Sequence, residues 1–190
     1  MYPELQALEE QLDAAQRDAQ AVVFGLSEER GRWRPQAGSW SISECLDHLA
    51  ITNRVYLEAM RPVALRARTQ ERKRRGPAVP GVMGRFFVKK LEPPVKPSFR
   101  GRAPRNIQPR SELSLTETLE SFLMSQDEVR AFLRDNEELD LARVSFQNPF
   151  LPMLRFSLAT GLHAIPAHER RHLWQAWRVR RGAEEAGDKP

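Results

Sequence analysis

The chain has 190 residues, 41% of them hydrophobic and 29% charged, with a formal net charge of +5. That length supports one domain with a real core and is short for two, and no apolar run approaches the roughly 20 residues of a membrane span. A single cysteine excludes an internal disulfide framework and any Cys-x-x-Cys zinc site. The charge is unevenly spread: residues 61–110 hold 15 of the 30 Lys and Arg against two acids, Glu71 and Glu92, a net of +13 that leaves −8 for the rest. The same stretch holds eight of the 14 prolines.

The N-terminal residues are acidic and amphipathic and read as neither a signal peptide nor a transit peptide, so the expected location is the cytoplasm. A first helix is predicted from about Pro3 to Phe24. Leu5, Leu8, Leu12, Ala15, Ala19 and Val22 form one stripe at spacings of three and four, and Pro3 suits an early helical turn. A second helix begins at Ser41-Ile42-Ser43-Glu44, a capping box in which serine and glutamate satisfy free backbone N–H groups reciprocally. Pro62 is expected to end or kink it. A third begins at another capping box, Ser114-Leu115-Thr116-Glu117, and fades at Asp135. A fourth is predicted from about Leu154 to Arg181, kinked at Pro166 and stopped by Gly182, with a disordered tail over 182–190. Between the second and third helices, residues 67–112 form a long, basic, proline-rich connection with a short helix near Met83–Leu91. No alternating strand pattern is evident. The expected fold is all-α, a four-helix bundle in a single domain over 1–190.

Four histidines carry the main chemical interest. His168 and His172, four apart on a helix, share one face, the spacing two imidazoles need to bind one metal ion. His48 lies in a stripe with Cys45, Thr52 and Val55 that should face the core. Spacing alone leaves two readings open: a three-imidazole metal set, or core histidines satisfied by hydrogen bonds. His163 precedes His172 by nine residues, about 900° of helix, so it points the other way. His168-Glu169-Arg170-Arg171-His172 also matches the H-E-x-x-H of zinc hydrolases, in which the glutamate is the general base. Against that reading, only 18 residues follow His172 and no strand offers a substrate edge. Cys45 reads as a buried small hydrophobe. Glu44 serves the capping box or orients His48, and Asp47, about 100° round from His48, reads as exposed. The four tryptophans read as core, and Gln175 either lines the mouth of the site or is solvated. Arg72-Lys73-Arg74-Arg75 reads as a solvated charge run; phosphates of nucleic acid or a membrane surface are its other possible partners. Base-stacking aromatics are sparse there, so nucleic acid is not the expected partner.

Two stretches resemble the DinB/YfiT-like superfamily. Trp33-Arg34-Pro35 followed by Gly38-Ser39-Trp40-Ser41-Ile42-Ser43-Glu44-Cys45-Leu46-Asp47-His48-Leu49 is similar to the family's W-x-P…G-x-W-S-I-x-E-x-L-x-H-L. His168-Glu169-Arg170-Arg171-His172-Leu173-Trp174-Gln175 is similar to its closing H-x-x-x-H-x-x-Q. The resemblance implies an up-down-down-up four-helix bundle with a divalent metal held by His48, His168 and His172; imidazole ligands suit zinc, nickel, copper or iron, and zinc or nickel is expected. It implies thiol-dependent S-transferase or isomerase chemistry, in which a low-molecular-weight thiol attacks an electrophilic substrate, and a homodimer. Arg85, Lys89 and Lys90 are then candidates to hold carboxylates of the thiol. The connection over 67–112 is longer and more basic than the family pattern. Two other classes stay open: a non-enzymatic stress or interaction protein with a vestigial site, and a nucleic-acid-binding bundle using the basic segment.

Overall fold

The structure, a computed structural model, describes residues 2–94 and 104–187. Among them it is mostly helical, with one small sheet: α1 (Pro3–Val23), α2 (Glu28–Arg32), α3 (Ile42–Thr69), α4 (Val82–Leu91), a 3-10 turn (Arg105–Ile107), α5 (Leu115–Asp135), β1 (Ser145–Gln147), β2 (Arg155–Ser157) and α6 (Leu158–Gly187). The α1 stripe is buried at all six of its apolar positions. Both capping boxes form: Ser41 accepts from the Glu44 N–H while Glu44 accepts from the Ser41 N–H, and Ser114 and Glu117 do the same. No helix among the described residues is long and apolar enough to cross a membrane.

α3 packs against α5 and α6, and α1 against α6 and α5. Paired residues place the helices. Along the α3–α6 seam, Asn53 meets Glu169 and Met60 meets Gly161, so the two advance in opposite senses. On α5, Arg54 meets Glu128 and Arg68 meets Asn136. From α1, Gln11 and Asp18 meet Arg170 and Trp177 of α6, while Asp13 and Tyr2 meet Arg130 and Glu138. One apolar cluster gathers around Met60, Phe132 and Phe146, and a second around Leu46, Leu49, Phe122 and Leu173. A Cβ on Gly161 would come within 2.7 Å of Met60 Sδ, so a side chain there is incompatible with the close α3–α6 approach.

Several expectations change. α3 runs through Pro62 to Thr69, because Ala64 and Ala67 are buried beyond the proline and Arg68 is held by Asn136. The last helix starts at Leu158, not Leu154. Arg155–Ser157 pair antiparallel with Ser145–Gln147, and the Ser157 hydroxyl accepts from the Thr160 N–H, capping α6. Asn148 builds the turn between the strands by accepting from the N–H groups of Phe150 and Leu151. The all-α expectation therefore misses a hairpin. α6 continues past Gly182 to Gly187, with Gly182 against the Trp33 ring and Arg180 pairing with Glu184. Residues 188–190 of the expected tail, and 95–103 of the connection, lie outside the described residues. The expected short helix is α4. The charge run is only partly solvated: Arg74 pairs with Glu4 and covers the Tyr2 ring.

Candidate metal centre

The three predicted histidines meet. His48 comes from the first turns of α3, anchored by the capping box; His168 and His172 come from successive turns of α6. Their ligand-capable nitrogens all lie within 4.8 Å of one another. His48 Nε2 is 3.4 Å from His168 Nε2. Two nitrogens sharing a tetrahedral zinc at 2.0–2.1 Å are separated by roughly 3.3 Å, so this pair already has the spacing of a shared ion. Ring centroids are 4.5 Å apart for His48–His172 and for His168–His172.

Hydrogen bonds fix which nitrogens face inward. His48 Nδ1 lies 2.6 Å from the Ile107 carbonyl. A carbonyl only accepts, so Nδ1 carries the proton and Nε2 presents its lone pair. His172 Nδ1 donates to Gln175 Oε1 at 3.1 Å, which leaves its Nε2 free in the same way. His168 Nδ1 is buried without a hydrogen-bond partner among the described residues. Burial pushes the His48 pKa down to about 4. Burial and the neighbouring imidazoles hold His168 and His172 well below the usual histidine value. All three rings are therefore neutral near pH 7, the state that binds metal. The donor set, its spacing and its protonation suit one divalent ion.

Other residues complete the surroundings. Trp40 walls the cluster, its ring centroid 4.6 Å from His48 and 5.5 Å from His172. Asp47 was expected to be exposed and is fully buried. It accepts from the Arg110 N–H at 2.8 Å and pairs with the Arg110 guanidinium at 2.6 Å. This clamp ties the segment after the 3-10 turn to α3, next to the point where Ile107 meets His48. Glu44 does not orient His48; it is held by the cap and by Arg34 at 2.6 Å. Cys45 is fully buried, which pushes its thiol pKa up and keeps it inert. His163 points away and meets the Ala78 carbonyl at 3.2 Å. Glu169 is buried in the bundle interior and accepts from Asn53 Nδ2 at 2.8 Å, so the glutamate of the H-E-x-x-H match is engaged across the seam by α3. α4 lies along another side of α6, with Gly84 against Thr160 and Glu92 paired with Arg170. Arg170 is two residues from each site histidine, about 200° round the helix, and Thr160 is eight before His168, about 80° round, so the element carrying Arg85, Lys89 and Lys90 packs along the flank of α6.

Sequence reasoning missed the Ile107 carbonyl, the Asp47–Arg110 clamp and the wall role of Trp40. Only Trp40 had a signal, its place just before the capping box.

These features define a class: a helical protein with a buried three-imidazole cluster suited to a divalent metal. The chain belongs to the DinB superfamily, whose family model matches residues 11–176, a span that includes all three histidines. No curated protein and no solved structure gives a significant match.

Proposed function

We propose that this protein is a single-domain, up-down-down-up bundle that holds a divalent transition metal, zinc or nickel, through His48, His168 and His172, and that it acts as a transferase using a low-molecular-weight thiol. The convergence of three neutral imidazoles on one point is the observation that carries the metal reading. The helix pairings given above support the topology. Three nitrogen ligands leave coordination positions open, as catalytic sites do, and the resemblance to a family with thiol-dependent members supports the thiol.

A metal ion bound there supplies Lewis acidity that lowers the pKa of a coordinated thiol. The chain's own residues prepare the site. The Ile107 carbonyl and Gln175 select the tautomers of His48 and His172 and fix their ring planes. Burial keeps the imidazoles unprotonated. Trp40 shields one side from water. A thiol and its electrophile would reach the cluster beside His168, the least buried of the three histidines.

Elemental mass spectrometry on the untagged full chain tests the site. About one transition metal per chain is expected, and a His168→Ala/His172→Ala variant should lose it. Stoichiometric metal in that variant would overturn the three-histidine site. Metal-loaded protein that turns over no electrophile with any of the common cellular thiols would leave the site standing and remove the transferase.

A further inference from the structure

α4 uses only one of its sides to hold the fold. Gly84 packs on Thr160 so closely that a Cβ would come within 2.3 Å of its hydroxyl. Phe87 lies against Phe156 with ring centroids 4.6 Å apart. Glu92, just past the helix end, pairs with Arg170. These contacts fix the rotation of α4, and the fixed rotation turns Val82, Met83 and Phe86 outward, 75%, 69% and 62% exposed. Their spacing of three and four makes them one stripe. A lone exposed apolar residue is ordinary; three large ones in line on a ten-residue helix are not. Arg85, Lys89 and Lys90 are exposed on the same short helix, and no acid occurs between Glu71 and Glu92.

We propose that this face of α4 docks on an anionic phospholipid surface, with Val82, Met83 and Phe86 entering the headgroup–acyl boundary and Arg85 and Lys89 meeting lipid phosphates. Charge selects this occupant. A second copy of the chain would bring two cationic helices together with no acid on either to offset them, and like charges in an interface are costly. The stripe is also a ridge and not a groove, so it suits a soft surface that it can enter. The α6 residues met by α4 and by Glu92, Thr160 and Arg170, lie about 80° and 200° round α6 from His168.

The test uses the full chain with phosphatidylcholine vesicles, with and without phosphatidylserine. Binding should require phosphatidylserine and fall with salt. Each cation near the surface is worth about fivefold in partitioning, so Arg85→Gln/Lys89→Gln should weaken binding by about 25-fold. Met83→Ser/Phe86→Ser should also lose binding while keeping its circular dichroism and metal content. A Phe86→Trp emission should shift to the blue on phosphatidylserine vesicles. Equal partitioning with and without phosphatidylserine, or none, would overturn the proposal. So would undiminished binding by Met83→Ser/Phe86→Ser, which would assign the attraction to the basic segment as a whole. A dimer in sedimentation velocity that Met83→Ser/Phe86→Ser dissociates would give the face to a second copy instead.

Discussion

The two ends of the α3–α6 seam are built from different materials. Near Met60 the seam is apolar: Leu57, Met60, Phe146, Leu162 and Ile165 are all buried, and Gly161 lets the helices close. Near His48 it is polar: Asn53, Glu169 and two of the three histidines are buried, with Gln126 beside them on α5. Asn53 Oδ1 and His168 Nδ1 lack hydrogen-bond partners among the described residues, and the Gln126 amide faces the Glu169 carboxyl. Apolar burial stabilises, at about 25 cal/mol per Å². A buried polar atom without a partner costs about 1–3 kcal/mol. The polar groups at one end therefore cost stability that the apolar end adds, and the second apolar cluster, around Leu46, Leu49, Phe122 and Leu173, offsets that cost.

The sharpest way to separate the ends is to damage each alone. Phe146→Ala removes a fully buried ring from the apolar end and should destabilise by about 3–5 kcal/mol in denaturant unfolding. Metal affinity of the folded fraction should stay at its wild-type value. A parallel loss of metal would mean the two ends are not independent.

Asp47→Asn probes the other end with less disturbance to packing. It weakens the grip on Arg110 and, through it, the placement of the Ile107 carbonyl that sets the His48 tautomer. Loss of such supporting partners lowers metal affinity by about 10–100-fold, and the conservative substitution should fall near tenfold. Competition with a chromophoric chelator measures it. Unchanged affinity would show that Ile107 holds its place without the clamp.

That clamp also marks where the sequence stops being readable. Helix faces, capping boxes and the i, i+4 pair place His48, His168 and His172 on inward sides of two helices, because side-chain direction along a helix follows from spacing alone. The same geometry sets Asp47 about 100° from His48 but cannot say that Arg110, 63 residues later, returns to cover that side. Ile107 contributes a backbone carbonyl, which every residue has, so no side chain announces it. Strands of three residues are too short for alternation to show, which hides the hairpin. Pro62 carries a real local penalty, but buried neighbours on both sides outweigh it. Nor does helix spacing show that Glu169 is met by Asn53, 116 residues earlier.

Acid should expose the contrast in metal-free protein. His48 titrates at about 4 in the fold, and His168 and His172 well below their ordinary 6.5. The unfolded chain takes up these protons near 6.5, so stability is full above that pH and falls as pH drops through it. The slope is roughly 1.4 kcal/mol per pH unit for each proton. Glu169 opposes this: burial raises it from 4.5 to about 7, so its protonation favours the fold as pH falls from 7 toward 4.5. Three imidazoles outweigh one carboxyl, and the thermal midpoint should drop between pH 6.5 and 5. His168→Gln/His172→Gln should flatten the curve. A midpoint that rises on acidification would make Glu169 the dominant group.

The smallest expected effect compares the two capping boxes, which share one local design in different surroundings. Ser114 caps α5 while only half-buried, whereas Ser41 is buried and its partner Glu44 is also paired with Arg34. Replacing a serine cap by alanine costs about 0.5–2 kcal/mol. Ser114→Ala should fall at the low end, since water can satisfy the freed N–H. Ser41→Ala should fall at the high end, since the freed Glu44 N–H has no water to turn to, and it should also loosen the turn that carries Trp40 beside His48. Denaturant midpoints measure the first difference and chelator competition the second. Equal midpoints would mean burial adds nothing to this cap, and its placement beside the imidazoles would then be a matter of geometry alone.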